Sequence, residues 1–578
     1  MKKYIVFFLI LFIYSNITFS SQVSPQKETI NILDFEDPKV QLSLGIIYFL
    51  GQGVEQDFNE AFKWFKLSAE QAYAPAQVML GTMYEKGYGV EINHNEALKW
   101  FKLAAEQGVA EIQNLLGFMY GEGHNVEQNY VEAVKWFTLS ANQGNSIGQY
   151  KLGEMYKNGF GVEKDYIEAL KWFKLSAEQG NSDSQNNLGI MYYYGHGVEK
   201  DYIEALKWFK LSAEQGNSDS QNNLGIMYYY GHGVEVDYKE ALKWYQLAAE
   251  QGNSDAQHSL GFMYKNGYGV NKDHDEAIKW YLLAAEQGNS NSQNNLGTIY
   301  YYGHDVEVNY KEAYKWYQLA AEQGNSDSQN NLGMMYYYGN SVEVDYKEAY
   351  KWFKLAAEQD HMYAQNNLGW MYQYGYGIDK DYTEAIKWYR LAAEQGHVDA
   401  QNNLGSMYYY GHGVDKDYTE AVKWYRLAAE QGHMYAQNNL GIMYQYSYGV
   451  DKDYAEAVKW YRLAAEQGHA DAQNNLGWMY SKGYGVEQDY QETLKWYKLS
   501  AEQGNSNAQY SIGNMYLYGY GVEIDYVEAL KWLNLSVQQN NRDAQNALGW
   551  MYYYGWGVEK DPDEAKKLFQ KATNNYYQ

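Results

Sequence analysis

The sequence predicts an all-α protein, an α/α solenoid built from fifteen 36-residue helix-turn-helix repeats. Three observations carry that expectation. A lysine-tryptophan pair places Trp64, Trp100, Trp136 and so on to Trp532 at fourteen positions, every interval being 36 residues. A glycine that follows leucine or isoleucine keeps the same interval from Gly45 to Gly549. Only 4 prolines occur in 578 residues, so the chain has few helix breakers. A fixed period of this size is the signature of units that bury a face only by stacking on their neighbours.

Each unit divides into two helices. In the unit around residues 183–216, "DSQNNLGIMYYY" forms the first helix, with Ser182 and Gln185 spaced as a capping box. "GHGV" breaks it. Where the second loop glycine is replaced, Asn125 and Asp305 stand there, and both residue types tolerate positive φ; Ser341 is the strained exception. The second helix opens at Asp201, with Glu204 again at capping-box spacing, and stops at Gly216. It carries Ala205, Leu206, Trp208, Phe209, Ser212 and Ala213 on one broad arc, against Lys207, Lys210 and Glu214 on the other. An arc that wide buries on two sides, so the tryptophans are expected in the core. Residues 163–198 and 199–234 are identical, which marks a duplication within the array. In the last unit Leu568 stands where the tryptophan series would continue.

The array leaves room for three segments. Residues 1–20 have the layout of a secretory signal peptide: two lysines, an apolar run from Tyr4 to Tyr14, then Thr18 and Ser20 as small residues before a cut. That run is shorter than the ~20 residues a bilayer span requires. Residues 21–36 are a linker, and 37–578 form the solenoid, with the C-terminal helix as its cap. The expected location is therefore exported, periplasmic or secreted. With no cysteine in the chain, no disulfide supports an exported fold, and packing alone must hold it. A net charge of −26 argues against nucleic acid and anionic membrane as ligands, since both select concentrated positive charge.

The string "LGxMYxxGxGVxxDxxEAxKWxxLAAEQG" resembles the Sel-1-like repeat, a relative of the tetratricopeptide repeat, and it covers essentially the whole chain after the linker. The resemblance implies a right-handed superhelix whose first helices line a concave groove. It also implies an adaptor or scaffold for protein complexes, and bacterial members are often exported and act in signalling regulation or host interaction. One cysteine-rich branch is associated with β-lactam binding or hydrolysis. This chain has none of those cysteines.

The helical wheel then separates packing residues from spare ones. Around Gly189, which permits close approach of a neighbouring helix, Ser184, Leu188, Met191 and Tyr192 face inward. Asp183, Asn186, Ile190, Tyr193 and part of Tyr194 face the other way. The offset of Ile190 varies widely among units and carries Trp370, Trp478 and Trp550. The offset of Asn186 recurs as Asn222, Asn294, Asn330, Asn366, Asn402, Asn438 and Asn474, an amide ladder with both donors and acceptors. The offset of Tyr193 recurs as Tyr229, Tyr301, Tyr337 and Tyr409. These residues are the candidate binding set: amides for an extended peptide backbone, rings for apolar contact. The competing reading is that the asparagines bond neighbouring helices or water.

Catalysis has no residue to stand on. His124, His196, His232, His304 and His412 fall in the inter-helix loops, and copies in adjacent units stand at least ~8–10 Å apart, too far to share one metal. "DKDYTE" at 379–384 opens like a calcium loop but lacks its glycine and later glutamate, and a helix cap at Asp381 and Glu384 explains it better. No nucleophile elbow, phosphate loop or zinc signature is present. The sequence thus predicts no enzyme, no cofactor and no metal. It predicts an exported interaction scaffold for a protein or peptide, with no nucleic acid and no membrane insertion after signal cleavage. A glycan or cell-wall binding module is the alternative, since rings and amides also suit sugars. β-Lactam hydrolysis rests on family association alone. Units 5 and 6 present nearly the same surface, so discrimination is expected from the divergent units 2–4, 7 and 13–15.

Overall fold

The computed structural model describes residues 35–304 and 306–574. The leader, the linker up to residue 34, and Asp305 lie outside the described residues. Thirty α-helices and no strand are present among the described residues, from Pro38–Leu50 to Pro562–Asn574. The chain divides into two compact bodies, residues 1–287 and 288–578. The first holds the helices from Pro38–Leu50 to His274–Glu286, and the second those from Ser290–Tyr302 to Pro562–Asn574. Within each body every unit is a helix pair, and each second helix packs on the first helix of the unit that follows.

Local chemistry sets the helix ends. At Tyr202–Glu214 the Asp201 carboxylate accepts from the Ile203 and Glu204 amides at 2.9 and 3.0 Å, as its position predicts. Glu204 turns away and pairs with Lys207 at 2.8 Å, so the reciprocal half of the capping box is replaced by a surface ion pair. The start of the first helix needs a correction. Its N-cap is Asn181, whose side chain accepts from the Ser184 amide at 2.8 Å, and Ser182 is already helical. Asparagine is as good a cap as serine and sits one residue earlier, where the chain is still extended. The C-terminus of that helix closes on Gly195 at φ 77°, with the Gly195 and His196 amides both donating to the Met191 carbonyl.

Loop glycines are constrained from outside as well. A Cβ on Gly197, at φ 70°, would lie 2.5 Å from the Tyr166 carbonyl oxygen of the preceding unit. Asn125 and Ser341 hold the same left-handed geometry at φ 60° and 66°. Ser447 does so at φ 61° in place of the first loop glycine, and its hydroxyl donates to the Val450 carbonyl at 3.0 Å.

The core repeats with the units. Ala205, Phe209 and Met227 form one buried cluster, and Ala213, Leu224 and Trp244 the next, so each layer joins a second helix to the following pair. Gly189 lies directly under Phe209: a Cβ there would stand 2.6 Å from the ring. That contact replaces a side chain with helix-to-ring packing, which explains the invariant interval of the glycine. Nine of the fourteen series tryptophans are buried as expected, Trp136, Trp208, Trp244 and Trp460 among them, whereas Trp64, Trp172, Trp280, Trp352 and Trp532 are half-buried; Lys207 lies over the Trp208 ring at 5.2 Å. Leu568 occupies the tryptophan position of the final unit and is buried against the preceding helix pair.

Candidate interaction groove

The first helices stand side by side, so their shared faces are decided by what ties unit to unit. The strongest tie is a glutamine that every unit carries. Gln185 Nε2 donates to the Ala177 carbonyl of the preceding second helix at 3.1 Å, and Gln185 Oε1 accepts from Gln215 Nε2 at 2.7 Å. The same pair of bonds recurs at Gln221 with Gln251, and in the second body at Gln365 with Gln395. Each buried amide thereby adds a second donor to a carbonyl at a helix end, which also accepts from the backbone three residues on, and joins two units. The sequence carried a signal for this, since glutamine recurs at all fifteen positions, but periodicity alone does not distinguish a buried polar tie from a surface residue.

The asparagine ladder is a second tie, and this corrects the expected orientation of the amides. Asn186 is buried, and its Oδ1 accepts from Ser220 Oγ at 2.9 Å and Asn223 Nδ2 at 3.1 Å, both in the next unit. Asn294 accepts in the same way from Ser328 and Asn331. Asn330, Asn366, Asn402 and Asn438 accept from Asn367, Asn403, Asn439 and Asn475 at 3.0–3.4 Å. Asn222 and Asn438 are buried as well, whereas Asn294, Asn330, Asn366, Asn402 and Asn474 are half-buried. The wheel turned these side chains outward because it treated each helix alone. The adjacent first helix, one unit on, covers that edge. The carbonyl oxygens of Asn186, Asn294, Asn330, Asn366, Asn402 and Asn438 are spent on neighbours.

The loop histidines and the tyrosines form a third tie. His196 stacks on Tyr166 of the unit before it, centroids 4.8 Å apart and planes at 15°, and His232 stacks on Tyr202 at 4.6 Å and 5°. Tyr130 with Phe160, Tyr418 with Tyr448 and Tyr454 with Tyr484 repeat the arrangement, so the loop position asks for a flat ring rather than for a histidine. Tyr193 packs edge-on to Tyr202 and its hydroxyl bonds His232 Nδ1 at 2.9 Å. Tyr301 accepts from Asn340 at 2.6 Å and Tyr337 from Trp370 Nε1 at 3.1 Å. Tyr229 and Tyr409 contact Tyr238 and Tyr418 in the same way. Burial pushes the Tyr193, Tyr229, Tyr301, Tyr337 and Tyr409 phenols up, which keeps them neutral.

What remains exposed is a narrower register than expected. Tyr194 and Tyr230 are each 62% exposed, and Tyr302, Tyr338 and Tyr410 match them in the same register. Trp370 and Trp550 are exposed at 37% and 43%, each beside an exposed tyrosine, Tyr374 at 4.3 Å and Tyr554 at 5.7 Å. Trp478 is half-buried against Tyr484. Tyr363, Trp370 and Tyr374 lie on one stripe of the helix Met362–Tyr374. Among the described residues no group of three or more His, Asp or Glu side chains is placed to hold a metal, and no helix is long and apolar enough to cross a membrane.

The Sel1 repeat family model matches fifteen consecutive segments, from residues 38–73 to 542–577. A crystal structure of a protective antigen present in uropathogenic Escherichia coli strains, which displays an SLR fold, is 35% identical. The match covers 82% of this chain and 97% of that one, with a TM-score of 0.59. A Sel1 repeat protein from Oxalobacter formigenes is 29% identical over 61% of this chain and 98% of its own, with a TM-score of 0.45. A search of curated proteins returns no match. Sel1 repeat solenoids generally mediate protein–protein interaction and are generally non-catalytic. The periodic glycine under its ring, the paired helices and the fifteen matched segments agree, and the chain belongs to the Sel1 repeat family.

Proposed function

We propose that this chain is an exported scaffold that holds an extended segment of a protein partner along the exposed face of its first helices, in signalling regulation or host interaction. The observation that carries the reading is the exposed ring at one repeat position, Tyr194 and Tyr230 in the first body and Tyr302, Tyr338 and Tyr410 in the second, where Trp370 and Trp550 are exposed as well. Rings that keep their shape on binding supply contact area at low entropic cost, and their hydroxyls reach a peptide backbone. The asparagines contribute indirectly: by fixing the spacing of adjacent first helices they set the spacing of the rings. That a similar Escherichia coli protein is a protective antigen supports a host-facing setting.

The test is affinity capture with the chain from Ser21 onward, alongside the double variant Trp370→Ala, Tyr374→Ala. Capture of a protein partner that the variant loses, at unchanged helicity, supports the scaffold. Cosedimentation with purified peptidoglycan that the same variant abolishes would replace it with the glycan reading. Export is read separately: a secreted product beginning at Ser21 supports it, and retention of Met1 on a cell-associated product overturns it.

A further inference from the structure

Four consecutive first helices of the second body are capped by histidine instead of asparagine or another residue. His361, His397, His433 and His469 are the N-caps of Met362–Tyr374, Val398–Tyr410, Met434–Tyr446 and Ala470–Lys482. In each the ring Nδ1 accepts from the backbone amide three residues on, at 3.1–3.2 Å: Ala364, Ala400, Ala436 and Ala472. Accepting there requires Nδ1 to be unprotonated, with the proton on Nε2.

The ring reproduces an asparagine cap atom for atom in function. Asn217 accepts from the Ser220 amide through Oδ1 and donates through Nδ2 to Asp183 of the unit before. His361 accepts through Nδ1, and its Nε2 lies 3.0 Å from Asp327 of the unit before; His433 stands in the same relation to Asp399 at 3.1 Å. His397 and His469 meet tyrosines at that place, Tyr363 and Tyr435, with ring centroids 4.9 and 4.8 Å away. The other titratable groups facing His397 are Asp399 and His361, and those facing His469 are Asp471 and His433. His397 and His469 are buried, at 7% and 8% exposure.

We propose that the buried histidine caps make the helices Val398–Tyr410 and Ala470–Lys482 an acid-sensitive part of the array. Protonation of Nδ1 removes the acceptor, leaves the first-turn amides unpaired, and places a cation at the positive end of a helix dipole. Asparagine has no such transition. Burial holds the His397 and His469 pKa values below the ordinary 6.5, so their folded-state contribution is complete above about that pH and is lost as pH falls. The bond to histidine holds the Asp327 and Asp399 carboxyls below their ordinary range. His397 and His469 are the two caps that are buried and meet a tyrosine in place of that carboxylate, so the test reads them. The inference stands whether or not the first-helix face binds a partner.

Hydrogen exchange on the full chain tests it, at about pH 7.5 and about pH 5.0, with rates corrected for intrinsic chemistry. The expected result is a rise in opening of about fivefold per lost cap in the segments 398–410 and 470–482 at the lower pH. The asparagine-capped segments 182–194 and 218–230 are unchanged. The double variant His397→Asn, His469→Asn, which keeps a competent cap, abolishes the rise. An equal rise in that variant, or no rise in the parent, overturns the proposal.

Discussion

Asn223 Nδ2 donates to Asn186 Oδ1 at 3.1 Å, from one repeat unit to the one before it. The bond shows how the asparagine pair that many first helices carry couples neighbours. It also shows where the coupling lapses. Asn222 Oδ1 is buried without a partner, because the following unit has Ala256 and Ser259 where its counterpart has Ser220 and Asn223. An unsatisfied buried acceptor costs about 1–3 kcal/mol. Ser259 also bonds the buried Tyr245 hydroxyl, so the double substitution Ser259→Asn, Tyr245→Phe, which copies Asn223 with Phe209, supplies the missing donor and is expected to stabilise the first body by about 1 kcal/mol. A rise in the denaturant midpoint checks it, and an unchanged midpoint counts against the pairing.

Gln365 serves two units at once through Ala357 and Gln395. Gln365→Leu keeps the volume but leaves the Ala357 carbonyl with the Asp360 amide alone and the Gln395 amide with only its longer bond to the Leu391 carbonyl. The expected cost is about 2–3 kcal/mol, felt in both adjacent units because stability in an array is shared between neighbours. Hydrogen exchange resolved by segment reads this as faster opening on both sides of the boundary, not in one unit alone.

Gly189 is the sharper test of packing. Glycine in a helix interior is ordinarily improved by alanine, by about 0.5–1 kcal/mol. Here a Cβ would meet the Phe209 ring at 2.6 Å. Gly189→Ala is therefore expected to destabilise, by about 1–3 kcal/mol. Thermal unfolding decides the sign, and Gly189→Ala combined with Phe209→Leu is expected to recover part of the loss.

Trp370 separates binding from stability. It is exposed on the face of Tyr363 and Tyr374, and its one bond to the preceding unit is to the Tyr337 hydroxyl, so Trp370→Ala is expected to cost about 1 kcal/mol of stability or less. Its loss of partner affinity is expected at about 2 kcal/mol, the scale of an aromatic anchor. Equilibrium binding and unfolding measured on one preparation give the two numbers, and equal losses in both would mean a core residue.

Much of this was legible in the chain. The 36-residue interval determined the helix pairs and their number, because stacking units must bury the same face each time, while the first-helix start lay one residue from its expected place. The second-helix caps at Asp201 and its equivalents and the tryptophan core followed from local chemistry and amphipathic spacing. The neighbouring helix was not legible. Read alone, the helix assigns Asn186 to open surface, His196 to a polar loop and Gln185 to a capping box with Ser182, since a wheel has no second helix in it. Only the tertiary structure placed a partner opposite each: Asn223 for the amide, Tyr166 for the imidazole, Ala177 and Gln215 for the glutamine. Periodicity is a property of one strand of sequence, whereas a contact between units is set by helix spacing and rotation. For that reason the sequence by itself determined the repeat and its core, and the fold decided which polar residues and rings were left for a partner.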